Sequence, residues 1–532
     1  MPSRFRNLAS AAVLVALTLL AYLPALRAGF VWDDDLHVTQ NEVLRTWPGL
    51  VDIWLRPGAI LQYYPLTHTS WWIQYHLWGL APLGYHLVNV LLHGASAAVL
   101  WLVLRRLCVP GAWMVAAVFA LHPVHVESVA WVTELKNMQS GFFYLLALLG
   151  FLRWALADDA APGNGRRVYA ASFLCFVCAV LSKSITCTLP AAVALVLWWK
   201  RGRLAPDRIL ALVPLAIVSV AAGAQTAWWE RHYVGAVGPE WALSLPERCL
   251  VAGRALWFYA AKLAWPTRLA FIYPRWTLDP HAWWQWLFPL GAVVVLVALA
   301  ALRRRLGAAP LVAALYFVVT LGPALGFVDV YPFRYSFVAD HFQYLASIGL
   351  IALLVGAGTR ATERMLPAAR WPLGAVVLAL LAVLVWRQAG IYETPETLWR
   401  ATVAKNPSAW MAHNNLGLAL QGAGRLEEAA AHYREAIRLR PAYPEALYNL
   451  GNVLAAQGRP AEAEAQYERA LALDDRFAAV HNNLGNVLVM QGKVEEGKRH
   501  YRRALELNPG YADARRNLAI AEEWRGGAAA DR

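Results

Sequence analysis

The sequence predicts an all-α protein in two parts: a bundle of about eleven hydrophobic helices crossing a membrane, then a soluble helical-repeat solenoid. Three observations predict this. The 532 residues are 59% hydrophobic and only 16% charged, with a mean hydropathy of +0.39, a balance that water-soluble domains of this size do not show. Apolar runs follow one another from Leu8 to Gln388, and the tail then turns rich in Glu, Arg, Ala and Asn and repeats itself every 34 residues.

A helix needs roughly 20 apolar residues to cross a bilayer, fewer where neighbours shield it. The expected spans are 8–27, 86–104, 112–131, 138–156, 168–182, 185–199, 209–227, 284–302, 311–328, 343–357 and 372–389. The first follows Arg4 and Arg6 but outruns a signal-peptide core and lacks a small-x-small cleavage site, so it reads as a retained span. Clusters at Arg105-Arg106, Arg166-Arg167, Lys200 to Arg208, Arg303 to Arg305, and Arg360, Arg364 and Arg370 belong on the cytoplasmic side. Loops 28–85, 132–137, around 183, 228–283 and 329–342 then face outward. The segment Arg248 to Trp265 mixes Arg254 and Lys262 with aromatics and reads as a helix lying at the interface. An odd number of crossings delivers the C-terminal part to the outer side.

The net charge of +13 sits in these short clusters, which excludes nucleic acid as the expected partner. Five cysteines form no second metal-type pair, so they read as buried and inert.

In the tail, Gly417, Gly451 and Gly485 recur with Tyr433, Tyr467 and Tyr501, and Pro407, Pro441 and Pro509 end second helices. The 34-residue period is that of the tetratricopeptide repeat (TPR). The expected domains are 1–390 in the membrane and 391–526 as repeats, with full repeats at 408–441, 442–475 and 476–509. Asn415, Asn449 and Asn483 recur on first helices. They could grip a peptide main chain, or they could cap and pack helices.

Two outer loops carry ionisable groups. FVWDDDLHVTQN holds Asp33, Asp34 and Asp35, and adjacent carboxylates at an interface must find a cation, a metal or a proton. LHPVHVESVAWVTELKN gathers His122, His125, Glu127, Glu134 and Lys136 at a span end, where such groups are costly and usually serve a purpose. Pro123 breaks the helix that a zinc site of this spacing would use. Glu127 could orient a histidine or help hold a divalent metal. Lys183, between Ser182 and Ser184, needs an anionic partner or ligand, or else snorkels to the interface.

These stretches, with YYPLTHTSWW, WGLAPLGYHLVNVLLH, LSKSITCTLP and ADHFQYLASIG in order, resemble the transmembrane-and-TPR protein O-mannosyltransferases. That resemblance implies a GT-C glycosyltransferase fold, a polyprenyl-phosphate-linked sugar as donor, and Asp33 and Asp34 as the catalytic pair. It also implies an outer compartment that would be the periplasm, with the chain in the inner membrane, if the source is bacterial. Asp35 extends the family's acidic pair, Leu135 stands where an arginine is common, and His341, after Asp340, stands where relatives often have arginine. Lys136, Lys183, Arg254, Lys262 and His341 are the candidates to hold the donor phosphate. His122, His125, Glu127, Glu134, Asp35 and Asp340 complete the expected site. The TPR domain would bind a polypeptide acceptor. Two rivals stand beside this reading: a non-catalytic membrane-anchored scaffold, and a transferase acting on glycolipid or polysaccharide.

Overall fold

A computed structural model describes residues 3–156, 165–363 and 365–523, and Arg364 and residues 524–526 lie outside them. Contacts divide the chain into a unit ending at Thr394 and one beginning at Pro395. The break falls just past the expected boundary because Tyr392 is buried in the first unit and Glu393 O accepts from Gly29 N at 3.0 Å.

Every one of the expected apolar stretches contains a helix, and no strand occurs among the described residues. Among the described residues five helices, against about eleven expected spans, are long and apolar enough to cross a membrane: Pro82–Arg106, Gly165–Ser182, Pro206–Val234, Trp283–Leu306 and Arg370–Gly390. A sixth arises if Ala112–Leu121 and Pro123–Ala130, bent by 50°, count together. The break is Pro123, which cannot continue the helix, and the His122 ring caps the new turn by accepting from Val124 N at 3.4 Å. Other stretches are interrupted in the same spirit. Lys183 is extended (φ −162°) between Gly165–Ser182 and the short 3-10 turn Ser184–Thr188. The helix Leu287–Leu306 buries none of its residues and exposes Val293, Val294 and Val297; an apolar surface of this kind needs lipid as its solvent.

Leu245–Ala264 begins with a capping box in which Glu247 accepts from Ser244 N and Oγ at 2.8 and 2.6 Å. One face buries Leu250, Val251, Tyr259 and Leu263, and Trp257 and Trp265 stay exposed. Its Gly253 lies so close to Pro289 that an added Cβ would sit 2.4 Å from the proline nitrogen.

The second unit is a stack of paired helices: Trp410–Gly422 with Leu426–Leu439, Pro444–Ala456 with Pro460–Leu473, and Ala478–Met490 with Val494–Leu507. Pro395–Lys405 precedes them and Ala512–Glu523 follows. Each recurring glycine makes room for the recurring tyrosine. A Cβ at Gly417, Gly451 or Gly485 would lie 2.6, 2.5 or 2.5 Å from the ring of Tyr433, Tyr467 or Tyr501. The three hydroxyls bond Gln421, Asn452 and Asn486 at 2.8, 2.7 and 2.7 Å.

Candidate active site

The three adjacent acids of the loop that follows the first helix have three different environments. Trp32, just before them, holds a left-handed backbone (φ 50°), a conformation that costs a non-glycine residue about 1–3 kcal/mol. Its indole stacks on Trp131 at 5.4 Å and meets Phe271 and Tyr335 edge-on at 5.2 and 6.2 Å. Asp34 is wholly buried and accepts from Val31 N (2.8 Å), Thr133 N (2.8 Å) and Thr133 Oγ1 (2.6 Å). Burial pushes its carboxyl up, against the pull of those donors. It clasps the first loop to the 132–134 turn. Asp35 is exposed and bonds Thr39 Oγ1 at 2.8 Å.

Asp33 is the acid with capacity to spare. Its Oδ1 is buried without a hydrogen-bond partner among the described residues, and its Oδ2 lies 3.7 Å from His37 Nε2. Burial raises its pKa to about 7, although nearby Lys136 pulls the other way.

Glu134, fully buried, stands between two lysines, its Oε1 3.3 Å from Lys136 and its Oε2 3.1 Å from Lys183. Burial opposes its charge, but Lys183 leads the neighbours that hold it down at about 2. Burial lowers Lys183 to about 8 in spite of Glu134. Two cations around one carboxylate leave an excess positive charge beside Asp33, suited to an anionic ligand.

The expected site residues do not all converge. Glu127 accepts from His341 Nδ1 at 2.5 Å, so it orients a histidine as one of its two expected roles allowed. Burial pushes the His341 ring well below the ordinary histidine range, toward the neutral form, so it supplies no standing cation for a phosphate. His122 bonds Leu263 O at 3.0 Å, and His125 spans Phe119 O (2.8 Å) and Ser347 Oγ (3.0 Å). Both are committed to joining helices and loops rather than to the acids. Arg254 lies over Trp276 at 4.6 Å, and Lys262 bonds Thr267 O at 2.6 Å over the ring of Tyr273; neither is paired with Asp33, Asp34 or Glu134. Asp340 accepts from Tyr273 OH at 3.0 Å. No three His, Cys, Asp or Glu residues among those described are grouped to hold a metal.

Thr133, His37, Gln62 and Glu230 were not singled out from sequence. The first two lie inside the motifs already quoted, but their contacts are set by chain reversal and carry no spacing signal. Lys136 donates to Gln62 at 3.4 Å, and Gln62 to Glu230 at 3.5 Å.

In the repeat unit, Asn449 donates to Asn414 at 3.0 Å and Asn483 to Asn452 at 2.8 Å, while Asn415 accepts from Asn414 at 3.1 Å. The Asn449 and Asn483 amides tie one repeat to the next, whereas Asn415 pairs with its own neighbour. A main-chain grip would have to use the groups that remain.

Comparison with known proteins places both halves. TPR-repeat profiles match residues 422–458 and 451–492, and a tetratricopeptide-repeat profile matches 478–511. Protein O-mannosyl-transferase Tmtc3 of Drosophila melanogaster is 24% identical over 81% of this chain and 55% of its own length. Protein O-mannosyl-transferase TMTC4 of Mus musculus is 28% identical over 78% and 64%. The chain is TMTC-like. Protein O-mannosyl-transferase tmtc2 of Xenopus laevis is 36% identical over a shorter stretch, 26% of this chain and 18% of that protein. The chain thus spans less than a quarter of the length of the first curated relatives it matches. Among solved structures, the first TPR domain of human RPAP3 is 24% identical over 22% of this chain and 92% of its own, with a TM-score of 0.22. At 81% and 78% of the chain, the likeness to these two relatives extends beyond the repeats into the membrane unit.

Proposed function

We propose that this chain is a membrane glycosyltransferase that moves a hexose, mannose in the first instance, from a polyprenyl-phosphate donor to Ser/Thr hydroxyls of exported polypeptides. It would sit in the inner membrane and work on the outer face, where the TPR unit holds the acceptor. The observation that carries this reading is Asp33, a partly buried carboxylate whose buried Oδ1 has no hydrogen-bond partner among the described residues, set beside a doubly lysine-flanked glutamate. Asp33 takes the proton of the acceptor hydroxyl, whose oxygen forms the new bond to the sugar C1. The C1–O bond to phosphate breaks, its electron pair leaves with the phosphate, and Lys136 and Lys183 stabilise that charge. Asp34, saturated by three donors, positions the loop rather than taking the proton. The relatives' names, protein O-mannosyl-transferases, support the same chemistry.

The test is the glycopeptide profile of exported proteins from cells carrying wild type, Asp33→Asn, Asp34→Asn or no copy. Hexose on Ser/Thr peptides with wild type, lost with Asp33→Asn at normal protein level, is expected. Identical profiles in all four would sink the proposal.

A further inference from the structure

An apolar groove of about 560 Å³ runs between the first helix, Ser3–Ala21, and the last helix of the membrane unit, Pro367–Gly390. Leu17 and Leu20 form one wall, Ala375, Ala379 and Ala382 the other, and Leu121 reaches it from the helix that breaks at His122. Apart from Trp386 and Arg387, every lining residue is Ala, Leu or Val. A volume of this size lies within the range of clefts that hold a ligand, roughly 300–1,000 Å³.

Length and charge say which ligand fits. From Ala375 to Arg387 the helix rises about 18 Å at ~1.5 Å per residue, close to half of the ~30 Å hydrocarbon thickness of a bilayer. The groove is therefore about one leaflet deep. Its mouth is marked by Arg387, which is exposed in the last turn of the helix and makes no hydrogen bond or ion pair among the described residues. An arginine at the end of a span sits at headgroup level, where anionic lipid phosphate is its natural partner. Trp386 beside it is 46% exposed, as suits an indole at the same level. One acyl chain and one anionic head match this shape and charge, whereas a polyprenyl chain of many isoprene units outruns a groove one leaflet deep.

We propose that the groove holds an acyl chain of an anionic phospholipid whose phosphate pairs with Arg387. The lipid then completes the packing between the first and last helices of the membrane unit. The joint it steadies matters to the site, because Glu393 O, just beyond the last helix, accepts from Gly29 N at 3.0 Å, just ahead of Asp33.

The test is native mass spectrometry of the full chain released from nanodiscs, with phosphatidylglycerol and phosphatidylcholine of identical acyl chains in competition. Wild type should retain one lipid and prefer phosphatidylglycerol by about fivefold, the ratio that ~1 kcal/mol of phosphate pairing supplies. Arg387→Gln should bring that preference to unity while still retaining phosphatidylcholine, which shows the groove intact. Ala379→Leu puts a larger side chain into the groove and should lose the retained lipid of either kind. Added phosphatidylglycerol should raise the thermal midpoint in detergent of wild type but not of Ala379→Leu, and the lipid-free midpoints show that both variants are folded. A preference that persists in Arg387→Gln, or a lipid still retained by Ala379→Leu, overturns the proposal. Polyprenyl phosphate that displaces phosphatidylglycerol from wild type at equal concentration overturns the choice of occupant.

Discussion

If Asp33 is the base, transfer must follow its ionisation. Burial raises its carboxyl to about 7, and a base works only in the charged form, so the rate should climb as pH rises through 7. At pH 5.5 a group of this pKa is roughly 3% ionised, whereas an ordinary aspartate would be roughly 98% ionised. The rate there should be about thirtyfold below its plateau. Lys136 pulls the Asp33 pKa downward, so Lys136→Met should move the acid limb to higher pH, apart from any loss of donor binding. The assay is kcat/KM for hexose transfer from polyprenyl-phosphate mannose to a Ser/Thr peptide, from about pH 5 to about pH 9. A limb near pH 4, or one that Lys136→Met leaves in place, would refute Asp33 as the proton acceptor.

Other outcomes separate structural from chemical roles. Asp34→Ala strips three hydrogen bonds and strands Val31 N and Thr133 N, so it should destabilise the membrane unit by several kcal/mol, on the order of 3–5; thermal aggregation in detergent reads this, and Asp33→Asn should leave that midpoint near wild type. Gly451→Ala drives a Cβ to 2.5 Å from Tyr467 and should cost the repeat unit about 1–3 kcal/mol in denaturant. His413 and His481 donate Nε2–H to Pro407 O and Asp475 O, so each Nδ1 accepts from His432 or His500 at 3.0 Å. Burial lowers all four pKa values. The fold therefore prefers them neutral, its stability is complete above the ordinary histidine value, and the midpoint should fall as pH drops below about 6.5. Glutamine at both His413 and His481 should flatten that slope, and a slope that persists would assign it to other groups.

Much of the architecture is legible in the residues, for reasons of scale. Apolar runs near bilayer thickness and a 34-residue period are long, redundant signals, and each expected stretch does hold a helix. The site is only half legible. An acidic triplet marks where chemistry belongs, yet which acid is free depends on Trp32 adopting a left-handed backbone, and tryptophan carries no such preference. Lys183 was readable because a lysine among apolar neighbours demands an anion, and Glu134 supplies it. Arg254 and Lys262 were also candidates, but the Trp276 ring and the Thr267 carbonyl, on the segment that follows their helix, occupy them. His122 and His125 went the same way, since backbone carbonyls at helix ends compete for imidazole as well as any ligand does. Glu230 meets Gln62 across 168 residues, a pairing that no local pattern encodes.

Trp32 touches residues from three separate connecting segments, near 131, 271 and 335. A single rivet through several plates stops them sliding past one another, and the wall around Asp33 is fastened in that way.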